Sequence, residues 1–277
     1  MENIINYYYN LNIDLIKEYP KYLLLKSKNH YYIFKEYLGE ISELKKIIML
    51  LNQNNIKYDK ILLNRENEPI TKYNNKDYIL LELIQDNRII NNNFFIIKSN
   101  ANNKNYSEIW SKMVERINNS KSAINNYYIG LTESAIALYN RSLLLNGDIN
   151  YVISHYRVNY PNYSINYLDP TKMVIDVLGR DISEYVKSKF FIDSITVEEI
   201  IELIDKYQLN DKEINIMISR LLFPSYYFDL LKNNEKEDKY IDRIEEYEKF
   251  IYNLCSKLNK NHYIIEIDWL KKRTIDL

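Results

Sequence analysis

The stretch His155-Tyr-Arg-Val-Asn-Tyr-Pro-Asn162 sets three chemically capable side chains at fixed offsets: a His, an Arg two positions on and an Asn seven positions on. Loops of this spacing serve phosphoryl transfer when the second place holds an aspartate that takes the acceptor's proton and the asparagine holds a metal ion. Arg157 cannot take that proton, because a guanidinium stays charged up to a pH of about 12 or higher. Losing a positioned base costs roughly 10²–10⁴ in rate. Taken alone, His155 reads as a structural loop histidine. Arg157 either binds a phosphate or carboxylate in a repurposed cleft or neutralises Asp176 or Glu184 where a metal ion is missing. The internal ion pair is the favoured reading.

Two other sets of residues bear on the same chemistry. Asp176 follows the apolar run Met173-Val-Ile at a strand or loop end. There it can ligate a cation or hold a backbone amide, and Val177-Leu-Gly179 adds no second carboxylate. Lys35 in HYYIFKEY and Glu43 in GEISELKKI stand on a strand and a helix. They form either a surface ion pair worth at most ~1 kcal/mol or a phosphate-binding pair turned toward a cleft.

The elements that must position these residues follow from periodicity. YLLLKSK and HYYIFKEY are β-rich runs joined by the polar turn KSKNH, a hairpin pattern. The KSKNH turn, as a candidate phosphate loop, has no glycine. Ile41, Leu44, Ile48 and Leu51 lie on one helical face. Three short strands are expected in YDKILLNRENEPITKYNNKDYILLELIQD, with NRENEP and NNKD as turns. Beyond them SEIWSKMVERINN, VEEIIELIDKY and EYEKFIYNLCSKLN carry the broad apolar stripes of core-packed helices. Strands and helices are segregated along the chain, which predicts an α+β protein. The expected division is a β-rich part over 1–86, a connector over 87–105 and a helical part over 106–277. FPSYYFDLL reads as core packing, with a partner-binding face as the alternative.

Composition narrows the function classes. The 277 residues are 27% charged and 46% apolar with a net charge of −1, so no basic field exists to attract nucleic acid. One cysteine, Cys255, excludes a disulfide framework. His30, His155 and His262 have no metal-ligand spacing. The N-terminus lacks the pattern of a secretory signal, and no apolar run approaches the ~20 residues of a membrane span. A cytoplasmic protein is expected. The 28 tyrosines read as codon bias, with oxidative cross-linking as the alternative.

The order of strand, strand with Lys35, helix with Glu43, strands, connector and helices resembles the two-lobed kinase-like fold of aminoglycoside and choline phosphotransferases. KDYILLELIQD resembles that fold's last small-lobe strand and hinge. YYIGLTESAIALY (127–139), VIDVLGRDISEYVK (174–187) and RLLFPSYYFDLL (220–231) resemble the CotS/YutH-type kinase-like proteins associated with the spore coats of Firmicutes. The resemblance covers most of residues 20–275. It implies that His155 opens a catalytic loop, that Arg157 stands in place of its aspartate, and that Asn162 and Asp176 are the metal ligands. It also implies that Lys35 binds phosphate and is oriented by Glu43, and that Asp181 opens the next helix, where it is placed to cap a start at Ile182. With Arg157 there, the resemblance implies a pseudokinase with a structural or interaction role, without cofactor, with protein partners in the spore coat, located in the cytoplasm or at the forespore or coat surface. The alternatives are a phosphotransferase using ATP and magnesium with an altered base, and a non-catalytic nucleotide- or metabolite-binding module.

Overall fold

The computed structural model describes residues 2–100, 104–117, 123–233, 240 and 242–259; His262 lies outside them. The chain forms two compact units, one of residues 1–91 and 162–174, the other of residues 92–161 and 175–277.

The first unit is built on an antiparallel sheet. Helix α1 (Glu2–Tyr9) precedes β1 (Asp14–Tyr19), β2 (Tyr22–Ser27) and β3 (His30–Glu36); helix α2 (Ile41–Gln53) is followed by β4 (Lys60–Ile61), β5 (Thr71–Tyr73) and β6 (Lys76–Glu82). The strand order is β1-β2-β3-β6-β4, with β5 paired to β6. Alternation along β2 and β3 sends Leu23, Leu25, Tyr32 and Phe34 into a core shared with Ile5 and Tyr9 of α1. The central strand β6 is buried on both sides: Leu80 joins that core, while Ile79 and Leu81 join Leu44 of α2 and Ile61. A central strand covered on both faces reads as an unbroken apolar run, as YILL does here.

The hairpin expected around KSKNH, between β2 and β3, is formed, and an earlier hairpin precedes it. The turn of this first hairpin is Pro20-Lys21, between β1 and β2. Tyr19 and Tyr22 face each other in register, rings stacked at 4.5 Å. A two-residue turn with a proline, which has no N–H, offers no backbone cradle for phosphates.

The second unit is mainly helical. The small strand β7 (Lys98–Ser99) is followed by helices α3 (Tyr106–Ile117) and α4 (Ala123–Leu143), then strand β8 (Tyr151–His155). After the excursion through the first unit, which contains the short helix α5 (Ser164–Tyr167), the chain re-enters along β9 (Met173–Val177). Helices α6 (Gly179–Ile192), α7 (Val197–Tyr207), α8 (Asp211–Leu222), α9 (Ser225–Asn233) and α10 (Ile244–Lys257) complete it. Both α7 and α8 start with reciprocal capping boxes, Thr196 with Glu199 and Asn210 with Glu213, which satisfy the first free amides of each helix. Gly179 allows α6 to begin close against α8: a Cβ there would meet Met217 Cβ at 3.0 Å. No described helix is long and apolar enough to cross a membrane.

The units do not follow the chain as the sequence suggests. Within the expected connector, β7 pairs with β8, Lys98 opposite Val152. Residues 88–90 belong to the first unit, tied to the returning segment by Ile90 N–H donating to Asn162 O and Ser164 N–H donating to Arg88 O. A return from 162 to 174 is a long-range pairing that local periodicity does not encode.

Candidate functional site

The residues singled out by spacing fall into two groups, one in each unit. In the second unit, β8 ends at His155 and α6 carries Asp181 in its first turn. One Asp181 oxygen accepts from the His155 backbone N–H at 2.7 Å, and the other meets His155 Nδ1 at 2.7 Å. Both residues are buried. Asp181 therefore fixes the start of the loop. The expected cap at Ile182 is not formed, because α6 starts two residues before Asp181 and the carboxylate is used on His155.

Asp176 sits on β9 with 0% exposure. Its Oδ2 accepts from Arg180 Nη1 at 2.5 Å, from Arg220 Nη2 at 2.7 Å and from the Tyr106 hydroxyl; its Oδ1 accepts from Val177 N–H at 2.7 Å. Burial opposes its ionisation, yet the two guanidiniums outweigh burial and hold it below the usual carboxylate range. Arg180 also donates to the carbonyls of His155 and Tyr156. The acid expected to hold a metal is thus the anchor of an arginine cage that shapes the loop. A dication placed there would face two buried guanidiniums, which like-charge repulsion forbids.

Arg157 lies in the loop that follows. Its Nε and Nη2 donate to the two oxygens of Asp229 at 2.5 and 3.0 Å, and Nη1 donates to Tyr156 O at 2.7 Å. Glu184 lies 3.6 Å away, so of the two expected partners the structure gives Arg157 Glu184, adds Asp229, and commits Asp176 elsewhere. Glu184 is buried but pulled down to about 2 by Lys187, Arg157 and Arg180, which together overcome the cost of burial.

The first unit holds the other group. Lys35 Nζ donates to Asp169 Oδ2 at 2.5 Å, an acid that sequence reasoning passed over. Asp169 Oδ1 is engaged as well, accepting from Thr171 N–H at 3.0 Å and its hydroxyl at 2.6 Å. Burial lowers the Lys35 pKa and disfavours an ionised Asp169; the attraction of Lys35 and Lys172 nevertheless keeps that carboxylate below its ordinary range. Beside them Asp59, 1% exposed, accepts from Ile84 N–H through Oδ1, while its Oδ2 has no hydrogen-bond partner. Burial raises its pKa to about 7. Glu43 is half-buried in the first turn of α2. Asn162 is buried, and its Nδ2 has no partner. The signal that could have pointed to Asp169 is its Asp-Pro pair, where the carboxylate caps the short turn Pro170–Lys172.

Magnesium keeps near-octahedral oxygen coordination through one or two carboxylates. Asp176 is taken by arginines in its unit and both oxygens of Asp169 are engaged in the other, so neither carboxylate by itself fits a magnesium ion. Among the described residues no group of three or more His, Cys, Asp or Glu is placed to hold a metal ion.

Comparison with known proteins agrees with the architecture. Residues 104–266 match the family described as "Spore coat putative kinase YutH". An aminoglycoside phosphotransferase from Alicyclobacillus acidocaldarius superposes over 94% of this chain and 97% of its own, with a TM-score of 0.63 at 10% identity. The choline kinase LicA from Streptococcus pneumoniae covers 91% of this chain and 99% of its own, with a TM-score of 0.57 at 14% identity. A choline/ethanolamine kinase family protein from Mesorhizobium loti covers 94% and 93%, with a TM-score of 0.56 at 10% identity. At such identities the likeness shows the fold: the mixed α+β architecture is kinase-like. No curated protein sequence matches closely enough to count as a relative.

Proposed function

Because this chain belongs to the YutH family of spore coat kinase-like proteins, we propose that it keeps the fold without phosphoryl transfer and serves as a structural or interaction component in coat assembly. The observation that carries this reading is Arg157: at the place that the resemblance gives to the catalytic base stands a permanent cation, ion-paired to Asp229 and next to Glu184. A group that cannot accept a proton, held by two acids, removes the base. The arginine cage around Asp176 and the proline turn of the first hairpin support the same conclusion. Family membership supports the rest of the reading, protein partners in the coat and a location in the cytoplasm or at the forespore or coat surface.

The test is ATP consumption by the purified protein with magnesium and a broad panel of hydroxyl-bearing acceptors. The expected result is consumption no greater than in a protein-free control. Magnesium-dependent turnover that disappears in Asp169→Asn would overturn the reading in favour of a phosphotransferase with an altered base.

One observation favours a second reading, a nucleotide- or metabolite-binding module without chemistry. The Lys35–Asp169 pair is in place, and a lysine so positioned can meet phosphates. A ligand that binds only the native state raises its stability. An upward shift in melting temperature at millimolar nucleotide supports the module, and no shift removes it.

A further inference from the structure

The second unit contains a cleft of about 490 Å³ lined in part by Arg157, Glu184, Lys187, Phe191, Tyr226 and Asp229. That volume falls in the range of about 300–1,000 Å³ typical of small-molecule sites. Its charges are unequally anchored. Lys187 is buried and committed, donating to Glu184 at 2.8 Å, to Ser225 Oγ at 2.6 Å and to Arg220 O at 3.1 Å. Arg157 is held from below by Tyr156 O and Glu184 as well as by Asp229. Among the described residues the polar contacts of Asp229, in contrast, are both to Arg157, and its side chain is 44% exposed.

Asp229 is thus the exchangeable member. Its carboxylate can leave the guanidinium fork without breaking another bond, while Arg157 stays in place. With Asp229 turned out, the cleft's two cations, Arg157 and Lys187, face one buried anion, Glu184, an excess of one positive charge. The vacated fork has the geometry that accepts a carboxylate or phosphate through two parallel hydrogen bonds. One side of the cleft is aromatic: Phe191 stands 4.7 Å from Tyr226 and 5.0 Å from Tyr240, centroid to centroid.

We propose that this cleft binds a small oxyanion borne on a planar apolar body, the anion replacing Asp229 on Arg157 and the body lying along Phe191, Tyr226 and Tyr240. The proposal rests on the reading that Arg157 has ended base chemistry in this loop. In effect, Asp229 is a built-in stand-in for the ligand's anion.

The experiment is calorimetric titration without nucleotide of phenyl phosphate, inorganic phosphate and phenol into the wild-type protein, Asp229→Asn and Arg157→Gln, with circular dichroism confirming the fold of each. Phenyl phosphate is expected to bind the wild type more tightly than either inorganic phosphate or phenol. Asp229→Asn is expected to tighten it by about three- to tenfold, as a competing and repelling carboxylate is lost. Arg157→Gln is expected to weaken it by about tenfold or more. If Arg157→Gln does not fold, the Asp229→Asn result decides alone. The proposal is overturned if phenyl phosphate fails to bind at millimolar concentration, if it binds no better than inorganic phosphate, or if Asp229→Asn leaves its affinity unchanged or weaker. Such a failure leaves the non-catalytic reading standing, since that reading is decided by ATP consumption.

Discussion

The two units balance buried negative charge in different ways. Near the loop of the second unit two buried acids have cations, Asp176 with Arg180 and Arg220 and Glu184 with Lys187 and Arg157, while buried Asp181 is held by His155. In the first unit Asp169 has Lys35, but Asp59 next to them keeps an oxygen with no partner. Around Asp176 the compensated charge holds the backbone in place, since Arg180 also donates to the carbonyls of His155 and Tyr156. Charge left uncompensated is held neutral by proton uptake and stays responsive. The arginine cage thus anchors the loop after His155, and in the first unit Asp59 keeps an imbalance of its own.

The sharpest way to break this comparison is to remove Asp176. Asp176→Ala leaves two buried guanidiniums facing each other, and breaking a buried ion pair from one side costs about 3–5 kcal/mol. Urea denaturation should show a correspondingly lower midpoint, and a loss below about 1 kcal/mol would mean that the cage is not an anchor.

The next effect is a pH dependence in the first unit. Folded Asp59 holds its proton up to about pH 7, whereas an unfolded aspartate releases it near 3.8. Between those values the folded state binds more protons, so Asp59 makes stability fall as pH rises. Asp59→Asn abolishes that contribution, and its advantage over the wild type should grow between about pH 4 and pH 7 by on the order of 1–4 kcal/mol. Asp169, depressed by Lys35, acts oppositely: its contribution is present above the usual carboxylate range and is lost as pH falls below it. Both proteins share that contribution, so it cancels in the difference. Stability curves that stay parallel from pH 4.5 to 7.5 would contradict the assignment.

Smaller changes sharpen the contrast. Asp169→Asn should cost about 1–2 kcal/mol, less than Asp176→Ala, because Lys35 retains some access to water while Arg180 and Arg220 have little. Equal losses in the two variants would erase the difference between the units. Smallest of all, Arg157→Gln should cost no more than about 1 kcal/mol, since its pair with Asp229 is 33% and 44% exposed and screened by solvent. A larger penalty in thermal or urea unfolding would make Arg157 part of the core.

Much of the fold was legible because periodicity is local. Ile41 to Leu51 marked α2, the alternation in YLLLKSK and HYYIFKEY marked β2 and β3, and the stripes around Trp110, Ile200 and Phe250 marked three helices. The tyrosine- and asparagine-rich start concealed α1 and β1, and with them the hairpin that precedes the expected one at KSKNH. The site was less legible. The spacing of His155, Arg157 and Asn162 drew attention to the segment after β8, and the expected pairing of Arg157 with Glu184 is present. Its partner Asp229 lies 72 residues away and reaches it only through helix packing. Asp176 drew attention because it follows an apolar run, and that same burial is what places it among arginines. Asp169 was overlooked because an Asp-Pro pair also reads as an ordinary turn.

The most direct test of the central claim is the effect of magnesium on nucleotide binding. ATP titrated into the purified protein, once with magnesium and once with a chelator, should bind no more tightly with the metal, because the acids that would hold it are committed to Lys35, Arg180 and Arg220. An affinity that rises several-fold with magnesium, and falls back in Asp169→Asn, would contradict that account and restore a working metal–nucleotide site.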